Sequence, residues 1–268
     1  MNFKHILILI IFSSFTFAQN SKNNLLKVEY NEYRIYTPKI INVDLGKLVV
    51  SNDYSYYSST IVKKERKGDL KEDETIGVDN IEDKLSEIII NRKENILTER
   101  MEENFFLKKK YAIAESLPKM VWKLTNDSKT IKNYTCKKAT TTFRGRAYEV
   151  WYTEKIPISI GPWKFNGLPG LILSVQDKEG IYKWEVKSIS YPYTKTKEDL
   201  GSLIKENNKF KKITLKDFDK LRIDAIKSKI QTVKARSSDR SGMNTSFEYS
   251  TNQEKEPVNE WRTQKYFS

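Results

Sequence analysis

The residues best equipped for chemistry cluster between Arg144 and Trp163. The run Arg144-Gly145-Arg146-Ala147-Tyr148-Glu149-Val150-Trp151-Tyr152-Thr153 is followed closely by Gly161-Pro162-Trp163-Lys164-Phe165. Side chains alternate along a strand, so Arg146, Tyr148, Val150 and Tyr152 share one face and Ala147, Glu149 and Trp151 the other. Guanidinium groups bind planar anions through paired hydrogen bonds, and aromatic faces attract cations and flat rings. Arg144, Arg146, Tyr148, Tyr152 and Trp163 are therefore the candidate ligand-binding residues, for a carboxylate, a sulfate or a sugar ring. The competing reading is structural: cross-strand pairing in a half-buried sheet for the first four, and a buried corner for Trp163.

Other chemistries are narrowed by what the chain lacks. His5 is the one histidine, and it lies in a leader. The remaining chain has no imidazole for a Ser-His-Asp or Cys-His nucleophile, nor for the usual zinc sites. No catalytic residue, metal ligand or cofactor site is assigned. A hydrolase built on two carboxylates stays open, with Glu149, Glu154, Asp177 and Glu179 nearest the patch. Such enzymes hold two carboxyls about 5–9.5 Å apart across the scissile bond. The single cysteine, Cys136, cannot form an internal disulfide and reads as a small buried hydrophobe.

The elements that must position these residues are read from pattern. Lys4 and His5, the apolar run Ile6–Phe12 and the small residues of Thr16-Phe17-Ala18 form a secretory signal peptide, cleaved after Ala18. Its apolar run is shorter than the ~20 residues a spanning helix needs, and no later segment is apolar enough to cross a bilayer. The chain carries 48 Lys and Arg against 35 Asp and Glu, a net charge of +13, and the leader accounts for one of those lysines. A basic exported protein favours acidic glycans, peptides or envelope surfaces, and export argues against nucleic acid.

Strand patterns run through Leu26–Tyr30, Tyr33–Tyr36, Lys47–Val50, Tyr54–Ile61, Leu85–Asn91, Asn95–Met101, Phe105–Ala114, Met120–Leu124, Tyr134–Phe143, Arg146–Thr153, Leu171–Val175 and Ile181–Ile189. Ser51-Asn52-Asp53, Arg92-Lys93-Glu94, Arg144-Gly145 and Asp177–Gly180 are turns between them, and Thr125–Lys129 is a polar turn. The mixed-charge block Lys63–Asp83 reads as a loop. Leu168-Pro169-Gly170-Leu171 fits a type II turn with glycine at positive φ. Thr214-Leu215-Lys216-Asp217 is a capping pattern, and apolar residues from Leu215 to Val233 recur at helical spacing. A helix over 215–234 follows, with Lys216, Lys220, Lys227 and Lys234 outward, and an earlier one near Lys197–Glu206. The fold class is mainly β, or α+β: an antiparallel sheet with one or two C-terminal helices. The domains are the leader 1–18, a β-rich domain 19–236 and a polar tail 237–268.

Trp122, Lys129-Thr130-Ile131, Tyr134, Cys136-Lys137-Lys138-Ala139-Thr140, Arg144-Gly145-Arg146, Trp151-Tyr152-Thr153, Ile156-Pro157 and Gly161-Pro162 lead in order to Gly167-Leu168-Pro169-Gly170-Leu171-Ile172. This series resembles the GLPGLI family, strongly over residues 120–175 and weakly over the rest of the exported chain. The resemblance implies export by a Gram-negative bacterium. That family is in turn similar to the non-catalytic, bowl-shaped N-terminal domain of a bacterial peptide-N-glycosidase, which implies a β-rich module with a concave face and carries over no catalytic residue. The reading is a secreted or periplasmic binding or accessory module, with a glycan, a peptide or an envelope protein as partner. The alternatives are a carboxylate-dependent hydrolase acting on glycans or peptides and a structural partner in an envelope complex.

Overall fold

The computed structural model describes residues 25–37, 40–66, 86–103, 107, 109–193, 200–201, 209–238 and 256. The expected leader lies outside these residues, as do nearly all of the helix near 197–206 and of the tail. Among the described residues twelve strands form one sheet: β1 (Leu25–Thr37), β2 (Ile40–Val50), β3 (Tyr54–Arg66), β4 (Ser86–Asn91), β5 (Ile96–Met101), β6 (Tyr111–Ser116), β7 (Lys123–Ile131), β8 (Tyr134–Phe143), β9 (Arg146–Thr153), β10 (Leu171–Asp177), β11 (Tyr182–Tyr193) and β12 (Lys211–Thr214). Helix α1 (Leu215–Ser238) closes the series. The spatial order is β12-β6-β5-β4-β3-β2-β1-β11-β10-β9-β8-β7. Short turns make neighbouring strands antiparallel, and among the described residues the one parallel pair is β12 with β6. Among the described residues no helix is long and apolar enough to cross a membrane.

The sheet cannot be flat. β6 and β7 stand second and last in the order, ten strand spacings apart, or about 48 Å at the usual spacing. Residues 117–122 alone connect them, and that length of chain reaches about 24 Å when fully extended. The sheet therefore curls until its two ends approach each other. Leu117, Met120 and Trp122 of this crossing pack against the main core. The Trp122 indole donates to Asn166 O at 2.9 Å, and the Asn166 side-chain amide donates to Pro118 O at 3.3 Å.

The space inside the curl is filled by the segment 161–167. Trp163 stacks on Trp184 at 6.1 Å between ring centroids and meets Phe143 edge-on at 5.7 Å. Phe165 contacts Tyr148 at 4.9 Å and Trp184 at 5.6 Å, both edge-to-face. Such geometries match the aromatic quadrupole and add about 0.5–1.5 kcal/mol per pair beyond buried area. Trp163 adopts φ 53, the left-handed region that bulky residues avoid. The turn is held by a Phe165 N–H bond to Pro162 O at 3.1 Å and a Gly161 N–H bond to Phe165 O at 2.9 Å.

Several local expectations are corrected. Gly170 is not among the residues at positive φ; Gly145, Gly167 and Gly180 are the glycines there. The Gly170 N–H instead bonds to Leu168 O at 2.8 Å, a three-residue turn centred on Pro169. Glycine is required at 170 because a Cβ would lie 2.0 Å from Thr153 O. The polar turn expected at Thr125–Lys129 is strand: it belongs to β7, whose pairing with β8 shifts between Leu124 and Ser128. Polar side chains fit because β7 is an edge strand and their positions are exposed. Residues 63–66, read as loop, continue β3 against β2.

The C-terminal helix starts as its capping pattern indicates. Thr214 Oγ1 accepts the Asp217 N–H at 3.1 Å, and the same hydroxyl donates to Asp217 Oδ2 at 2.7 Å. Leu215 and Phe218 join Leu107, Tyr111 and Ile113 in a second, smaller core.

Two predictions follow from this packing. Gly170→Ala should cost about 3 kcal/mol or more, since overpacking against fixed backbone has no side chain to yield. Gly180→Ala, at φ 73 with nothing within 4 Å of the new Cβ, should cost only about 1 kcal/mol. Urea denaturation of both variants checks the contrast. The second concerns alkali. Burial raises the phenols of Tyr30 and Tyr57 well above the ordinary tyrosine value, and the Glu32 carboxylate adds to the effect at Tyr57. Below about pH 10 these protons stay on in both folded and unfolded chains; above it only the unfolded chain releases them, so stability falls as pH rises. Phenolate absorbance from these residues should emerge together with loss of near-ultraviolet circular dichroism, not before it.

Candidate functional site

The turn Arg144-Gly145 joins β8 to β9 with both residues at positive φ. This register pairs Phe143 with Arg146, Thr141 with Tyr148, Ala139 with Val150 and Lys137 with Tyr152. Arg146, Tyr148 and Tyr152 do share a face, and it is the inner one: they are 3%, 2% and 1% exposed. Trp163 lies in the core, and the Arg144 guanidinium is nearly as buried. The structure thus places all five candidates within or against the packed interior, and divides them between two ionic groups and an aromatic core.

Arg146 belongs to the first ionic group. Its Nη1 meets Asp177 Oδ2 at 2.6 Å and Glu179 Oε2 at 3.2 Å, and its guanidinium lies over the Tyr182 ring at 5.3 Å. Asp177 Oδ1 accepts the Tyr182 N–H at 2.6 Å. Burial pushes the Asp177 carboxyl up, opposed by the Tyr182 N–H and by Arg146. Burial likewise raises the Tyr148 phenol well above its ordinary value. Arg144 belongs to the second group. It holds both oxygens of Glu115 and meets Glu256 Oε1 at 2.5 Å. Lys164, fully buried, joins it there with Glu99 at 3.0 Å and Glu115 at 3.1 Å.

Solvent meets the other face of the same strands. A cleft of about 730 Å³ is lined by Val121–Lys123, Thr140–Thr142, Ala147–Glu149 and Gln176–Lys178. Lys123 pairs with Thr140, Thr140 with Glu149 and Glu149 with Gln176. Directly paired residues project to one side, so these four make a polar row across β7, β8, β9 and β10. Thr142 and Ala147 form the adjacent row. Beyond Glu149 on this side stands Trp151, whose indole donates to Glu149 Oε1 at 3.2 Å. The Lys129 ammonium lies 4.1 Å from its ring centroid and that of Lys138 at 5.9 Å. Lys138 also pairs with Glu149 at 2.7 Å, and this contact holds its ammonium pKa above the ordinary value.

Of the four acids considered for hydrolysis, Asp177 and Glu179 meet on Arg146 Nη1, which fills the space between them, and the other two are turned to lysines. Glu149 points outward to Lys138, and Glu154 outward to Lys137 at 2.8 Å. Asp177 stands opposite Tyr148 in the register, one row from the Glu149–Gln176 pair, so its carboxyl projects to the inner side. Among the described residues no cluster of three His, Cys, Asp or Glu side chains could hold a metal ion. Cys136 is buried, with its thiol against Tyr134 O at 3.4 Å, and burial pushes that thiol up.

Sequence reasoning missed the row Lys123, Thr140, Glu149 and Gln176 as a unit. The signal was present in the alternation that sets Ala147, Glu149 and Trp151 apart from Arg146, Tyr148 and Tyr152. Polarity alone did not say which side faced the interior, because the inner side carries an arginine and two tyrosines.

Asp177→Asn should destabilise the fold by about 3–5 kcal/mol, the usual cost of removing one partner from a buried ion pair. Glu179→Gln, at a half-exposed position, should cost less than about 1 kcal/mol. Chemical denaturation of the two variants tests the ranking, and equal effects would contradict it.

Comparison with known proteins bears on this arrangement. The family described as N-glycanase peptide, N-terminal domain matches residues 75–217, which include the whole cleft lining. No curated protein matches the chain. Among solved structures, PNGF-II in a C2 crystal form is similar with a TM-score of 0.50 and 20% identity, over 75% of this chain and 33% of that one. PNGF-II in a P21 form gives a TM-score of 0.48 and 17% identity, over 75% and 34%. The chain thus spans about a third of the length of PNGF-II, and at such identity the likeness to the C2 form concerns the fold. With more than half of its residues inside the family match, the chain belongs to the N-glycanase peptide N-terminal domain family.

Proposed function

We propose that this protein is a secreted or periplasmic, non-catalytic binding module of the GLPGLI type, and that its ligand is a saccharide bound at the cleft of β7–β10. The observation that carries this reading is the solvent-facing row Lys123, Thr140, Glu149 and Gln176 beside Trp151. Sugars need several donors and acceptors at fixed spacing, and this row supplies them; Trp151, under the Lys129 ammonium at 4.1 Å, holds the Glu149 carboxylate from the margin of the row. A volume of about 730 Å³ falls in the range of small-ligand sites. The family's description as a domain of N-glycanases supports a glycan as the ligand class.

The five residues read first from the sequence take supporting parts in this proposal. Tyr148 and Asp177 belong to the strands that line the cleft, with their side chains on the inner side, and Arg146 holds Asp177 there. Arg144, Tyr152 and Trp163 keep β8 and β9 flat against the core, so that the outer row stays in register. The signal peptide expected at residues 1–18 supplies the route of export.

Oligosaccharide titration of the intact protein by calorimetry tests the proposal. Trp151→Ala and Gln176→Ala should each weaken binding about tenfold, or about 1.4 kcal/mol, with the fold unchanged. Trp163→Ala should instead lower stability. Saccharide affinity untouched by both outer-face substitutions would refute the assignment.

A second reading, a structural partner in an envelope complex, rests on a separate observation. Val121 is 86% and Leu124 57% exposed, the first just before and the second on β7, an edge strand among the described residues. Large apolar residues in such a place favour a protein contact. Recovery of a stoichiometric partner from envelope extracts, lost on Val121→Lys, would support it over the first.

A further inference from the structure

Two kinds of cation stand at the outer-face cleft and around it. Lys138 is engaged: its ammonium holds Glu149 at 2.7 Å and lies 3.7 Å from Asp127. The buried cations are engaged too, Arg146 with Asp177, Arg144 with Glu115 and Lys164 with Glu99. Lys123 and Lys178 differ. Both line the cleft, both are exposed, and among the described residues neither forms an ion pair. The acids on the lining strands do not offset them: Glu149 is neutralised by Lys138, and Asp177 is turned inward to Arg146. The charge that the cleft presents is therefore positive.

Register sets where the two lysines stand. Lys123 begins the row that continues through Thr140 and Glu149 to Gln176. In the adjacent row Thr142 pairs with Ala147, and the Lys178 N–H donates to Ala147 O at 2.9 Å, which extends that row to Lys178. Lys138 and Trp151 pair in the row on the other side, so Glu149 bonds away from Thr142 and Ala147. Short side chains, Thr140, Thr142 and Ala147, thus floor the cleft on β8 and β9. Long ones flank it, Lys123 on β7 and Gln176 and Lys178 at the end of β10. The two lysines occupy opposite corners of this floor, three strand spacings or about 14 Å apart. Their main chains are held, Lys123 by its pairing with Thr140, and Lys178 by Ala147 and by the turn that the Gly180 N–H closes on Asp177 O at 3.1 Å.

Resting on the saccharide reading of the cleft, we propose that its ligand is an acidic oligosaccharide, with carboxylate or sulfate groups on more than one ring, held near its two ends by Lys123 and Lys178. A neutral sugar would leave both ammoniums without a counter-charge at the contact, whereas a charged one matches the cleft's potential. Between the corners, the Thr140 and Thr142 hydroxyls and the Gln176 amide have no side-chain hydrogen bond among the described residues. They are donors and acceptors for ring hydroxyls, which an acidic peptide of the same charge does not carry.

Calorimetric titration of the full-length chain tests this with two pairs of probes: an oligogalacturonate with its fully methyl-esterified form, and a sulfated cello-oligosaccharide with its unsulfated form. Each pair shares a backbone and differs in charge. In at least one pair the charged member should bind at least about tenfold more tightly at low salt, and the margin should shrink as ionic strength rises. Lys123→Gln and Lys178→Gln should each weaken that binding about threefold, and together about tenfold, since residues this far apart act independently. Lys93→Gln, exposed on the turn between β4 and β5, should leave it unchanged. All three lysines are exposed, so circular dichroism should match the wild type in every variant. Equal affinity within both pairs would overturn the proposal and leave the saccharide reading standing. Binding of none of the four probes would refute both. A loss on Lys93→Gln as large as on the cleft variants would trace the effect to net charge and overturn the proposal. So would an oligoglutamate that binds as tightly as the charged sugar and is lost with the same two lysines, which would assign the cleft to acidic peptides.

Discussion

A buried ammonium holds the curled sheet together. Lys164 sits inside the curl and reaches Glu99 on β5 and Glu115 on β6. Its own segment packs between β9 and β11 through Phe165, Tyr148 and Trp184. In the order of the sheet these two regions are many strands apart, so the ion pairs act across the concavity and not along it. Charges taken out of water are costly unless they are paired and hydrogen-bonded. An opening that separated β5 and β6 from the 161–167 segment would leave Lys164, Arg144 and their acids without each other in a region that excludes solvent. That penalty couples sheet curvature to the placement of a single side chain.

The rest of the architecture follows from what that segment needs. It enters through Gly161, where a Cβ would meet the Ile172 Cβ at 2.7 Å, and leaves by Gly170 against Thr153. Neither position tolerates a side chain, because backbone and core approach too closely. Between them Trp163 and Phe165 are held against Phe143, Tyr148 and Trp184. The inner surface of the β8–β10 region is thereby filled with aromatic rings and paired charges. The outer surface is left for solvent, and a polar row, an indole and flanking lysines stand there. Gly46 shows a similar economy elsewhere in the sheet: a Cβ there would lie 2.3 Å from the Tyr57 hydroxyl, which needs that space to reach Glu32 Oε2 at 2.8 Å.

Much of the strand pattern was legible. Tyr134–Phe143 and Arg146–Thr153 coincide with β8 and β9, since alternating residues flank a turn pair that accepts positive φ. The helix was legible for a similar reason, as Thr214 and Asp217 act on each other within one turn. β7 was not. Its Thr125-Asn126-Asp127 run has turn chemistry by composition and keeps it as a bulge, with the Asp127 N–H bonded to Thr125 Oγ1 at 3.3 Å, and pairing with β8 resumes only at Ser128. Gly170 was misread for a related reason. Local rules explain glycine by dihedral freedom, whereas here the cause is the Thr153 carbonyl, distant in sequence and 2.0 Å from where a Cβ would be.

The candidate site shows the same division. From its residues alone the chain determined an antiparallel sheet, a C-terminal helix, the two-sided alternation of β9 and the lack of a catalytic imidazole beyond His5, because each depends on neighbours a few positions away or on composition. Only the tertiary structure decided that Arg146, Tyr148 and Tyr152 face inward, that Glu149 faces water with Trp151 half-buried beside it, and that Lys164 joins Glu99, Glu115 and Glu256. Arginine can be buried once its charge is paired, as Arg146 is by Asp177 and Arg144 by Glu115, and those partners come from strands that sequence distance does not reveal. Which face of an amphipathic strand is wet depends on what the curled sheet encloses, and that is a property of the whole chain.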